Sequence, residues 1–98
     1  MPRHDYRIQR GRILKVLYKP YPEGLSDRVI SLTLNDIRMA ASAGVIKGHV
    51  SYLAERRLVA VENVQDMELE IDYTARLTAA GVDFVEKDAS DDGIDMGV

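Results

Sequence analysis

The chain has 98 residues, 46% hydrophobic and 30% charged, with no cysteine. That is an ordinary globular composition with material for one core, and it excludes disulfide scaffolds, thiolate zinc sites and cysteine nucleophiles. The longest charge-free stretch, Met39–Ile46, falls far short of the roughly 20 apolar residues a membrane span needs.

The first five residues, Met-Pro-Arg-His-Asp, lack the apolar core of a signal peptide, so a cytoplasmic domain without a membrane partner is expected. The net charge of −3 conceals an asymmetry. Residues 1–62 carry 11 Lys/Arg against 6 Asp/Glu, whereas residues 63–98 carry 2 against 10. A basic face beside an acidic end points to partner binding rather than to a fold.

A first helix is predicted from Asp5 to about Lys19. Ile13, Leu14, Leu17 and Tyr18 form its apolar stripe, and Tyr6 lies toward its start. Gly11 costs about 1 kcal/mol relative to Ala in a helix interior, which would let the helix begin near it. Pro20 ends it, and Pro22-Glu23-Gly24 forms a turn.

Ser26 is the predicted N-cap of a second helix, with Val29, Ile30, Leu34 and Ile37 on one buried face to about Arg38 and Leu32 off it. Ser42 caps a third, Ser42–Arg57, whose stripe is Ile46, Val50, Leu53 and Ala54. Leu58–Val61 reads as a strand and Glu62–Asp66 as a polar tip. Met67–Leu77 reads as a second strand, because Leu69, Ile71, Tyr73, Ala75 and Leu77 alternate with polar residues. Thr78 caps a short last helix bearing Val82, Phe84 and Val85, to about Lys87. Residues 88–98 are expected to be an acidic, flexible tail unless Ile94, Met96 and Val98 dock.

Three helices, a hairpin and a closing helix predict an α+β winged helix-turn-helix domain over residues 1–87. The segment Val50–Val59, followed by a hairpin and Leu77-Thr-Ala-Ala-Gly81, resembles winged-helix transcription regulators, the likeness covering about residues 8–87. More narrowly, four features resemble small Mu-like phage and prophage proteins described as ArsR-like winged helices. They are Arg12-Ile-Leu-Lys-Val-Leu17, Leu25-Ser26, the Leu53…Leu58-Val59 step and Gly93-Ile94. The resemblance implies DNA binding by the third helix in the major groove, usually as a dimer. One departure is Arg57, where such regulators carry glycine for a left-handed helix end; a different ending is expected here.

On the DNA reading, Lys47, His49, Ser51, Tyr52 and Arg56 are the recognition-helix candidates, with Ala43 and Gly48 on the same outer side. Arg3, Arg7 and Arg10, spaced along one helical face, and Arg28 are the phosphate-contact candidates. The set is sparse, because no Arg, Asn or Gln falls in the first two turns of the third helix. The hairpin argues against it, since Asp66, Glu68, Glu70 and Asp72 would repel a phosphate backbone. The alternative is a protein–protein adaptor that keeps the scaffold without binding DNA.

Other chemistry is weakly supported. His4 and His49 are not spaced as metal ligands, and Glu68, Glu70 and Asp72 on one strand face read as a solvated surface rather than a cation site. Gly44 and Gly48 lack the Lys-Ser/Thr of a phosphate loop. No serine–histidine–acid arrangement is evident, so neither an enzyme nor a cofactor is expected. A homodimer through the first or last helix is expected, because a core this small gains from covering apolar faces.

Overall fold

The computed structural model describes residues 3–87 and 91–97, with side chains from Asp5 onward. In chain order the elements are α1 (Arg3–Tyr18), β1 (Leu25–Ser26), α2 (Asp27–Asp36), α3 (Ala43–Glu55), β2 (Val59–Asp66), β3 (Ile71–Leu77) and α4 (Ala79–Glu86). The three expected caps form: the hydroxyls of Ser26, Ser42 and Thr78 accept from the amides of Val29, Val45 and Gly81.

The core sits where α1, α2 and α3 meet the sheet. Ile13, Leu14 and Leu17 of α1, Ile30 and Leu34 of α2, and Leu53 of α3 are fully buried. Tyr73, Ala75 and Leu77 close the core from β3. Of the predicted α2 stripe, Val29 and Ile37 are instead more than 40% exposed, as is Leu32. Tyr18 is also exposed, lying off the Ile13–Leu14–Leu17 edge that α1 turns toward the sheet and the other helices.

The sheet has order β1-β3-β2 and is antiparallel throughout. One edge strand, β1, pairs Leu25 with Ala75 and Ser26 with Thr74, and two residues are too few to show a periodicity. The hairpin turns at 67–70 rather than at 62–66. β2 runs on to Asp66 through an irregularity after Asn63, and Gln65 and Glu70 adopt left-handed φ of 56° and 58°. Glu68 and Glu70 therefore belong to the turn, and only Asp72 of the three carboxylates stands on a strand. Leu69, which the alternation places on the buried side, is 59% exposed, and Met67 beside it is 91% exposed.

α3 ends in a double-bonded turn. The Arg57 amide donates to the Ala54 carbonyl at 2.9 Å and the Leu58 amide to that of Leu53 at 3.0 Å, with Arg57 at φ 63°. The different ending expected from the missing glycine does not occur; Arg57 takes the left-handed conformation itself. α2 ends identically, with Arg38 at φ 61° and the Met39 amide on the Leu34 carbonyl.

The largest correction concerns the C-terminal segment. Residues 91–97 run back across α1, and Ile94 and Met96 are fully buried in the core. The Asp95 amide donates to the Arg7 carbonyl at 3.1 Å. α1 continues through Gly11, whose missing side chain is what admits this segment: a Cβ there would overlap the Asp95 carbonyl. The packed unit therefore extends past residue 87, and these residues are not a loose tail. Val98 lies outside the described residues.

Candidate nucleic-acid interface

Helical spacing divides α3 into two faces. Ile46, His49, Val50 and Leu53 recur at intervals of three, one and three and point inward. Gly44, Lys47, Gly48, Ser51 and Glu55 are consequently exposed. Nothing lies within 4 Å of where a Cβ would stand on Gly44 or Gly48, so this face is open.

The hairpin flanks that face. Lys47 shares one cleft with Arg28, Glu70, Asp72 and Tyr73, and a second with Ser51, Asn63, Gln65 and Asp72. The hairpin is braced against α2, where the Asp72 amide donates to Asp27 Oδ1 at 3.1 Å and Arg28 pairs with Glu70 at 2.6 Å. Burial, with Asp27 and Asp72 adding to it, pushes the Tyr73 phenol up to about 12, so it stays protonated at neutral pH. The cation at the centre of the open face thus has carboxylates as its neighbours across the cleft.

The remaining sequence candidates gather elsewhere, on the side of α3 that meets α1 and the C-terminal segment. His49 is not exposed toward a groove. It is 3% exposed, with Nε2 2.7 Å from Gln9 Oε1 and Nδ1 receiving the Arg10 Nε–H at 3.3 Å. Burial, then the Arg10 charge, lowers its pKa to about 4, so the ring is neutral. Tyr6 packs edge-on against it at 5.1 Å.

Tyr52 is half-buried, with the Arg10 guanidinium 4.0 Å from its ring centroid and that of Arg56 at 5.7 Å. Arg56 donates to the Tyr52 hydroxyl at 3.0 Å and is ion-paired with Asp91. Burial would raise the Asp91 carboxyl, but Arg56 and the amides of Gly93 and Ile94 outweigh it and hold the carboxyl below its ordinary range.

The arginines of α1 are committed likewise. Arg7 Nη2 donates to the Asp91 carbonyl at 2.6 Å, and Arg10 Nη1 to the Gly93 carbonyl at 3.0 Å. Residues 91–97 carry backbone carbonyls with no strand neighbour, and the guanidinium forks supply their donors. Arg7 and Arg10 thus hold the returning chain instead of projecting toward phosphates. Arg28 is exposed but engaged by Glu70, and the side chain of Arg3 lies outside those described. Of the nine candidates, Lys47 and Ser51 remain together on the open face.

The burial of His49 was readable from its place between Ile46 and Val50 on the inward stripe. The role of the arginines was not, because it depends on carbonyls more than eighty residues away in sequence.

The sequence matches no family model and no curated protein. Among solved structures, the chain is similar to a MepR mutant from a multidrug-resistant S. aureus clinical isolate. The TM-score is 0.64 and the identity 22%, over 81% of this chain and 51% of that one. It is similar also to the MepR of an S. aureus MepR–DNA complex, with TM-score 0.65 and 21% identity over 86% of this chain and 64% of that one. The fold is a winged helix-turn-helix. β2 and β3 are its wing, and α3 stands in the position of its third helix. The chain spans about half to two thirds of the length of these solved chains. Among the described residues, no helix is long and apolar enough to cross a membrane.

Proposed function

We propose that this winged-helix domain binds duplex DNA through the outer face of α3, with Lys47 and Ser51 as its contacts and Gly44 and Gly48 allowing close approach of the backbone. The observation that carries this reading is the uncovered α3 face beside the wing. The similarity to a chain solved in complex with DNA adds support. Lys47 neutralises phosphate, and Ser51 donates to phosphate or a base edge. With one cation on that face, binding is weak and largely insensitive to sequence. Service as a small phage or prophage transcriptional regulator rests on the sequence resemblance alone, and a cytoplasmic setting on the apolar content of the sequence.

The test is titration of a labelled random duplex at about 50 mM salt, where electrostatic binding is least screened. Micromolar affinity that falls with added salt supports the reading. No binding at tens of micromolar protein overturns it. In that event the second reading, a protein–protein adaptor, gains ground. It is favoured by the carboxylates Glu70 and Asp72 that line the clefts beside Lys47.

A further inference from the structure

On the side formed by α1 and α2 lies an open apolar groove of about 660 Å³. Its floor includes Val16, Leu25, Val29 and Ile37, and Lys15 and Lys19 stand on its rim. Val29 and Ile37 are both more than 40% exposed, although they belong to the apolar pattern of α2. The groove shares no residue with α3 or the wing.

A second unexplained surface sits at the wing tip. Met67 and Leu69 are exposed there, with Asp66, Glu68 and Glu70 interleaved between and beside them. Two large apolar side chains on an exposed turn gain nothing from their own chain, and the carboxylates exclude a phosphate backbone as their partner. Within the chain, Asp66 caps the Leu69 amide and Glu70 pairs with Arg28, which fixes the shape of the turn while leaving Met67 and Leu69 outward.

We infer that the wing tip of one copy docks in the α1–α2 groove of a second copy. The two surfaces match in both chemistries: apolar Met67 and Leu69 against the apolar floor, and Glu68 against the lysines of the rim. Packing two grooves against each other would instead oppose lysine with lysine. The contact is head-to-tail, closing as a reciprocal dimer or a ring. The groove half of this contact lies away from α3, whereas the tip half borders the cleft that Glu70 shares with Lys47.

Sedimentation velocity from about ten to several hundred micromolar, at low salt, tests the assignment. The wild type is expected to associate with rising concentration. Met67→Ser with Leu69→Ser abolishes that association, as does Val29→Glu; all three positions are exposed, and circular dichroism verifies that the fold is kept. Lys15→Glu and Glu68→Lys each weaken association several-fold, and combining them in one chain recovers it. A wild type monomeric throughout overturns the inference. So does association that survives the tip substitutions but not Val29→Glu, which would mean groove against groove, or a charge-swapped chain that shows no recovery.

Discussion

Arg10 donates its Nε–H to His49 Nδ1 at 3.3 Å, which fixes the imidazole as the tautomer carrying its proton on Nε2, toward Gln9. A second proton on this ring would have to enter at Nδ1, against the arginine donor and out of contact with water. Helix α3 is thereby joined to α1 by a polar contact that exists only while the histidine is neutral.

The first prediction is a loss of stability in mild acid. The folded pKa of His49 lies at about 4, below its ordinary 6.5, so between those values the unfolded chain binds a proton that the native chain refuses. The stabilisation is complete above pH 6.5 and declines as pH falls toward 4, by an amount on the order of 2 kcal/mol. Urea denaturation of the wild type and His49→Gln across this range measures it. The wild type should lose more stability than the variant on acidification, and parallel profiles would refute the assignment.

The second prediction concerns Gly11. In an isolated helix Gly11→Ala would stabilise by about 1 kcal/mol. Here the added methyl meets the Asp95 carbonyl and pushes the returning segment off α1, exposing Ile94 and Met96. The expected net effect is destabilisation by about 1–3 kcal/mol, the usual range when packing is disturbed. Hydrogen exchange at the Asp95 amide should quicken with it, and a stabilised variant would show that the segment does not pack as described.

What the sequence disclosed divides along physical lines. Local rules worked for the hydroxyl caps Ser26, Ser42 and Thr78 and for Ile46, Val50 and Leu53 of α3, which depend only on neighbours within two helical turns. His49 is buried with them and Ala54 is only half-buried, because their surroundings are set by α1 and the sheet. The wing failed in its register, because alternation cannot distinguish a half-buried strand from a turn with outward apolar residues. Non-glycine residues at left-handed φ, here Gln65 and Glu70, then hid the turn. The C-terminal segment failed for a different reason. Its acidic composition argues for disorder, while its order comes from Ile94 and Met96 fitting a gap left by Gly11 and from arginine donors on α1. The interface goes with it, since Arg7 and Arg10, placed by their spacing on a face for phosphate, are held by the carbonyls of that segment.

The third prediction tests the helix ending. Arg57 occupies a position that glycine adopts without strain, so Arg57→Gly should stabilise the domain by about 0.5–1 kcal/mol. Its neighbour Arg56 has ordinary helical geometry and pairs with Asp91, so Arg56→Gly should destabilise by a similar or larger amount. Thermal denaturation of the pair reads opposite signs, and equal signs would contradict the geometry.

The fourth prediction separates the cation of α3 from the carboxylates facing it. If DNA lies along the α3 face, Lys47→Ala removes one phosphate contact and lowers the slope of log affinity against log salt by about 1. Asp72 shares both clefts with Lys47, and its side chain is exposed, so Asp72→Asn leaves the fold intact while removing a repelling charge. A repulsion of 0.5–1 kcal/mol, about the size measured for exposed charges, converts to a gain in DNA affinity of roughly two- to five-fold. Fluorescence anisotropy with a random duplex resolves both effects. The two substitutions must act in opposite directions, because they alter opposite charges beside one phosphate path. If Asp72→Asn leaves affinity unchanged while Lys47→Ala reduces it, the DNA passes along α3 without approaching the wing.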